Sequence, residues 1–249
     1  MAQITSGGED RIDKAVEILA AFFHEDPLYT YILHDLAEPK RKAYLPKLLR
    51  GVVAACVLNG GSIIEVGDWS ACAVFMPPGR KPDNVHTLVR ARIASMIWNL
   101  GISSAKGIGS NIPKEGGSPY PAAVDQVIAG VLDKEEIQAG YWYGIIMCTS
   151  AGNRQKGLAS SLVSYVQDLA RIDGRPMWIE APSMKTAQLY LKLGFEHAGQ
   201  IVAGKGVVGI DGLAKEGGEG INTAWGMIYR PGNKVCGTGE PVLVRHQDL

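Results

Sequence analysis

The chain carries no excess of either charge. Its 25 Lys and Arg balance 25 Asp and Glu over 249 residues, so the electrostatic footprint of a nucleic-acid binder is missing and a small neutral or mixed-charge partner is expected. No apolar run approaches the roughly 18 residues that span a membrane, and the opening stretch MAQITSGGEDRIDK has no apolar core of a secretory signal. A soluble, cytoplasmic protein without a membrane partner is the expectation. The four cysteines, Cys56, Cys72, Cys148 and Cys236, are widely spaced, and three sit in apolar runs. That pattern suits buried free thiols better than a disulfide framework or a zinc site. Five scattered histidines lack metal-ligand spacing, so no metal is expected. No internal repeat is present.

What is present is a mixture of helical and strand periodicities, with 46% hydrophobic residues to bury a core. A single domain over 1–249 is expected. Ile12, Ala15, Val16, Ile18, Leu19, Phe22 and Phe23 recur at helical spacing over 10–23 until Pro27. Further helices are expected over 28–35 and 40–58, so that three helical pieces precede any strand. Stretches 62–66 and 69–76, separated by Gly67-Asp68, read as a β-hairpin with a type I′ turn. A helix over 84–100, a Gly/Ser/Pro-rich loop over 101–121 and a helix over 122–132 follow. The loop is long enough to serve as a lid. Strands are expected over 141–149, 177–181, 195–203 and 221–229, with helices over 157–172 and 184–193, the latter ended by Gly194 as a C-cap. The strand–helix–strand order implies a right-handed crossover between parallel strands.

The stretch 141–159, YWYGIIMCTSAGNRQKGLA, organises the functional reading. An apolar strand leads through a polar turn into an amphipathic helix, which aims backbone N–H groups and a helix N-terminus at one point and suits an anion such as phosphate. Gly157 lacks a Cβ, so a phosphate can approach the backbone there, and the small Ala159 continues that surface. Arg154 and Lys156 add positive charge, or are simply solvated turn residues.

Within this stretch Arg154-Gln155-Lys156-Gly157-Leu158-Ala159 fits R/Q-x-x-G-x-G/A, and downstream Tyr190-Leu191-Lys192-Leu193-Gly194-Phe195 matches Y-x-K-x-G-F. Together they resemble the GNAT superfamily of acyl-CoA-dependent N-acyltransferases. The resemblance covers roughly 145–195, and AFFHEDP around Asp26 and AVFMPPG around Met76 look like its fungal-type small-molecule branch, as does Thr149. Ala159 replaces the second motif glycine, and Ala151 stands where a proline is frequent. The fold implied is α/β, a mixed and strongly twisted central sheet with helices on both faces and a V-shaped cleft where strands 141–149 and 177–181 diverge. Residues 1–140 would form the acceptor side, 141–200 the acetyl-CoA-binding core, and 201–249 the C-terminal strands and tail.

By the same resemblance the cofactor is acetyl-CoA. Its pantetheine would pair with the backbone at Met147, Cys148 and Thr149, and its pyrophosphate would lie over Arg154, Gln155, Lys156, Gly157, Leu158 and Ala159. Ser183, Ala187 and Tyr190 would complete that site from the next helix. The expected reaction is direct acetyl transfer to an amine, or a hydroxyl, of a small-molecule acceptor. Such a transfer needs a neutral nucleophile, a stabilised oxyanion and a proton for the leaving thiolate. Tyr190 is the candidate acid, because a phenol stays protonated at neutral pH, although Ala187, Tyr190 and Leu191 also form a stripe suited to core packing. Glu180 is the candidate base if alternation turns Ile179 into the core and Glu180 toward the cleft. Asp26, Tyr29 and Tyr143 are expected on the acceptor side, where Asp26 could equally be a helix cap and Tyr141 and Trp142 could add aromatic wall. Cys148 is expected to be inert packing. Gly206, Gly209 and Gly212 do not form G-x-G-x-x-G and point to a mobile loop over 204–220. The alternative reading is a non-catalytic acyl-CoA-binding protein of the same fold, or the fold recruited to another biosynthetic reaction. Monomer and homodimer are both compatible with the sequence.

Overall fold

The computed structural model describes residues 3–34, 36–82 and 120–232. The helix expected over 84–100, nearly all of the loop expected over 101–121 and the tail after residue 232 lie outside the described residues. In chain order the elements are β1 (Ile4–Gly7), α1 (Ile12–Phe23), α2 (Pro27–Ile32), α3 (Glu38–Leu58), β2 (Ser62–Val66), β3 (Ala71–Met76), α4 (Tyr120–Ala129), α5 (Lys134–Ala139), β4 (Trp142–Thr149), α6 (Leu158–Asp173), β5 (Met177–Ala181), α7 (Met184–Lys192), β6 (Glu196–Ala203) and β7 (Ile221–Tyr229). The strands form one mixed sheet in the order β1-β2-β3-β4-β5-β7-β6. Among the described strands only β4 and β5 run parallel, with α6 as their crossover. Among the described residues no helix is long and apolar enough to cross a membrane.

Period-2 alternation sorts the core into two layers. On β3, Cys72, Val74 and Met76 pack with α1 and α3 on one face, while Ala71, Ala73 and Phe75 pack with α6 and α7 on the other. A third cluster joins α4 to Trp178, Ile201, Ala224 and Ile228 beneath β5, β6 and β7. Helix boundaries follow side-chain chemistry. The Asp26 carboxylate accepts from the Leu28 N–H at 2.9 Å and caps α2, with Pro27 at the first helical position. Ser183 caps α7. The other end of α7 closes with Gly194 at φ 84°, where the Gly194 N–H donates to the Leu191 carbonyl and the Phe195 N–H to the Tyr190 carbonyl, each at 3.0 Å. This Schellman closure is the C-cap that Gly194 leads one to expect.

Four expectations change. The short strand β1 precedes the helices, pairing antiparallel with β2; its ITSG sequence has no alternation of its own, and partner strand and side-chain ties fix it. The Thr5 hydroxyl donates to the buried Glu65 carboxylate and Arg11 donates to the Thr5 Oγ1 at 2.8 Å. The hairpin loop has four residues, 67–70, because Val66 pairs with Ala71. The type I′ character sits one residue later than expected: Asp68 (φ 53°) and Trp69 (φ 63°) occupy the centre, the Ser70 N–H donates to the Gly67 carbonyl, and the Glu65 carboxylate accepts from the Trp69 N–H. Helix α5 is additional, started by the Asp133/Glu136 capping box. Segment 204–220 is closed on itself rather than being a mobile loop. Gly206 donates to the Gly218 carbonyl at 2.7 Å, Val208 bridges Ala214, and Val208 packs with Tyr31, Ala203 and Ile221.

One irregularity positions the site. Strand β3 pairs Val74 with Ile146 and Phe75 with Gly144, so Ile145 is an unopposed extra residue, a bulge on β4. Parallel pairing of β4 with β5 covers Trp142, Tyr143 and Gly144 against Met177, Trp178 and Ile179, and stops there. A bulge bends its strand and increases twist, and β4 leaves β5 at that residue. The sheet is split from Ile145 onward.

Candidate active site

A cavity of about 280 Å³ fills the split. Because successive strand residues face opposite sides, Trp178 and Glu180 lie toward the α1, α2 and α4 side, whereas Ile179 packs toward α6 and α7. The cavity is lined from both sides: Asp26, Tyr29, Tyr120 and Glu180 belong to the first, Leu189 and Tyr190 to the second. It therefore passes through the sheet between the diverging strands. Gly144 makes the apex possible, since a Cβ there would lie 2.9 Å from the Phe75 ring and 3.2 Å from Ile179.

Glu180 follows Ile179, the last β5 residue paired with β4. It is half-buried and lines the cavity. Its Oε2 accepts from the Tyr120 hydroxyl at 3.2 Å, its Oε1 accepts from the Trp178 indole N–H, and the Tyr143 hydroxyl lies within hydrogen-bonding reach. Desolvation outweighs these three donors and pushes the carboxyl up to about 7. Such a group changes charge near neutrality and can accept a proton there. Asp26 is also pushed upward by burial, against the hydrogen bonds of its capping role; it caps α2 and lines the cavity at once.

Tyr190 is 2% exposed, its ring is tilted 41° against the Phe195 ring with centroids 5.6 Å apart, and its hydroxyl is shifted upward by burial and by Glu180. It thus packs the core and borders the cavity. Burial shifts Tyr29 and Tyr143 upward in the same sense. These hydroxyls stay protonated, as donors, across the physiological range.

Of the other residues singled out from sequence, Met147, Cys148, Thr149, Arg154 and Ala159 line the cavity. Gln155, Lys156 and Gly157 form the exposed turn between Arg154 and Ala159. Gly157 has φ 78°, and a Cβ on it would meet nothing within 4 Å, so the space above the N-terminus of α6 is open. Gln155 also has positive φ, 64°. Lys156 donates to Asn153 at 2.7 Å. Three residues are placed away from the cavity: Leu158 and Ala187 pack into the core, and the Ser183 hydroxyl is used in the cap of α7. Cys148 faces its strand partner Cys72, Sγ to Sγ 3.8 Å, both buried free thiols. Trp142 packs on the α6 side and donates to Asp173, away from the acceptor side.

Sequence reasoning missed Tyr120, Phe22 and Phe75 at the cavity. Tyr120 sat at the end of a Gly/Ser/Pro-rich stretch without periodicity, and only its contact with Glu180 reveals it. Phe22 counted as part of a helix stripe, yet it is 39% exposed and lies under the Arg154 guanidinium at 5.2 Å.

The fold is shared with solved acetyltransferases. A histone acetyltransferase HPA2-related protein from Corynebacterium glutamicum superposes with TM-score 0.57 at 19% identity, over 94% of this chain and 98% of that one. Arylalkylamine N-acetyltransferase 2 from Aedes aegypti gives 0.55 at 16%, over 92% and 98%. In sequence, an uncharacterised N-acetyltransferase of Schizosaccharomyces pombe is 23% identical over 182 residues, 73% of this chain and 69% of that protein. The chain is similar to these N-acetyltransferases and shares their fold. No family model matches it. In this fold the cavity through the split separates a cationic turn at Arg154 from two carboxyls, Asp26 and Glu180.

Proposed function

We propose that the protein transfers an acetyl group from acetyl-CoA directly to the amine nitrogen of a small molecule, within one ternary complex. The observation that carries this reading is Glu180, a half-buried carboxyl that lines the cavity at the apex of the split and is held by the Tyr120 hydroxyl and the Trp178 indole N–H. Acetyl-CoA supplies the activated thioester. The residues present fit it: the β4 edge is free of β5 from Ile145 to Thr149 for a pantetheine arm, and the turn at Arg154 and Gly157 is open above α6 for phosphates.

Each side chain then has a task. Arg154 attracts the anionic end of the donor. Glu180 takes the proton that an ammonium acceptor must lose before its nitrogen can attack. Tyr190, protonated and on the opposite side of the split, donates to the departing sulfur. Asp26 and Glu180 together favour a cationic acceptor over an anionic one, and Phe22, Phe23, Tyr29 and Tyr120 supply apolar wall for its body. The fission-yeast relative is described as an N-acetyltransferase, which supports nitrogen rather than oxygen as the acceptor atom.

The test is release of free CoA from acetyl-CoA against a panel of small primary amines. Release above the hydrolysis background, lowered by at least about tenfold in Glu180→Gln at neutral pH, is expected. Binding of CoA without release for any amine would leave a binding protein in place of an enzyme.

A further inference from the structure

The candidate base is held by residues outside the motifs. A carboxylate has about four acceptor positions. At Glu180 the Trp178 indole N–H takes one on Oε1, the Tyr120 hydroxyl takes one on Oε2 at 3.2 Å, and the Tyr143 hydroxyl reaches a third. About one is left, and the carboxyl lines the cavity. The donors come from three directions: Trp178 from the same strand, Tyr143 from β4 and Tyr120 from the first residue of α4. The first two are fixed by the sheet, whereas Tyr120 is brought in by a separate helix that packs on β6 and β7.

We infer that Tyr120 is a positioning residue whose hydroxyl, together with the Trp178 indole, fixes the Glu180 carboxylate so that its one free acceptor position addresses the acceptor amine. The inference rests on the acetyltransferase reading, in which Glu180 receives the amine proton. The surroundings make Tyr120 matter. Tyr29 faces Glu180 from α2 and Asp26 from its N-cap, Tyr143 from β4 and Tyr141 from just before it, and Tyr190 from α7, while β7 opposes it with Gly226. None of these groups is a cation. Among the described residues the negative form of Glu180 is therefore supported by hydroxyl and indole donors, and loss of one is not made up there by a neighbouring positive charge. A phenol donates without changing its own charge below its raised titration range, so it stabilises the anionic base without abolishing its basicity.

The test removes the hydroxyl and keeps the ring. In Tyr120→Phe the acidic limb of the kcat/KM profile for an amine found in the panel is expected to move up by about one pH unit, because one charge-assisted hydrogen bond is lost. Activity depressed near neutrality should return at about pH 9, and affinity for CoA should be unchanged. Tyr120→Met, which also lacks the hydroxyl, should move the limb in the same direction. A second readout does not need turnover: the carboxyl carbon of Glu180, followed by 13C NMR and assigned by its disappearance in Glu180→Gln, should titrate about one unit higher in Tyr120→Phe. An unmoved carboxyl titration, or a loss of activity equal at every pH, overturns the role of Tyr120 even if the protein is an acetyltransferase. A shifted titration in a protein that acetylates no amine upholds the hydrogen-bond geometry and removes the reaction it was assigned to serve.

Discussion

Gly226 leaves room for the Trp178 indole: a Cβ at Gly226 would overlap the ring, and Val127 closes the other side at 3.2 Å. Gly226 is also the β7 partner of Glu180. The same close approach that seats Trp178 in the core thus aims its N–H at the candidate base. Gly226→Ala should therefore act at two levels. Forced repacking should cost about 1–3 kcal/mol of stability by denaturant unfolding, and displacement of the indole should move the acidic limb of the activity profile upward. Wild-type stability would show that the strand accommodates the methyl group.

Gly157 combines a left-handed backbone with open space. Gly157→Ala should cost about 1 kcal/mol from its φ alone, with a modest effect on CoA affinity. Gly157→Glu should keep the fold but weaken CoA binding by at least about tenfold, because a carboxylate would occupy the space above α6 where phosphates are proposed to lie. Calorimetry with CoA separates the two, and unchanged binding in Gly157→Glu would remove this turn from the donor site.

Tyr190→Phe tests acid against packing. The hydroxyl contributes little to the ring packing against Phe195, so stability should change by less than about 1.5 kcal/mol. If Tyr190 protonates the leaving sulfur, turnover should fall by about 10²-fold with cofactor affinity nearly unchanged. Unaltered turnover would leave it a core residue alone.

Glu180 makes a stability prediction independent of catalysis. Its folded value, about 7, lies above the ordinary 4.5, so the folded protein holds the proton more tightly than the unfolded chain. Stability from this group is full below about pH 4.5, falls as pH rises through about 7, and is then level. The difference corresponds to about 3 kcal/mol. Glu180→Gln should lack that decline, so its stability relative to the native chain should rise between about pH 4.5 and 7 in unfolding titrations. Parallel curves would mean that the carboxyl is not desolvated.

Much of this architecture is legible in the chain because local signals and tertiary packing agree. Strand 177–181, helix 184–192 and the Gly194 cap follow from alternation, stripe and turn chemistry. The split of the sheet came from the family resemblance, and its location rests on the Ile145 bulge, for which IIMCT has no distinguishing composition. β1 was invisible because ITSG gains its order only from pairing with β2. At the site, Glu180 could be proposed from alternation along one strand, but Tyr120 could not, since its role depends on a helix docking across β6 and β7. Asp26 illustrates a false choice: it caps a helix and lines the cavity. The cavity wall proposed to meet the acceptor comes from α1, α2, α4 and the sheet together, and no contiguous segment encodes it.

The most direct measurement is CoA release from acetyl-CoA with the amine panel, followed from about pH 5.5 to pH 9 for the native protein and Glu180→Gln. The account predicts release above background whose kcat/KM rises through an apparent pKa near 7, and loss of that limb in Glu180→Gln. CoA binding with no release for any amine, or a pH profile unchanged by Glu180→Gln, would contradict it.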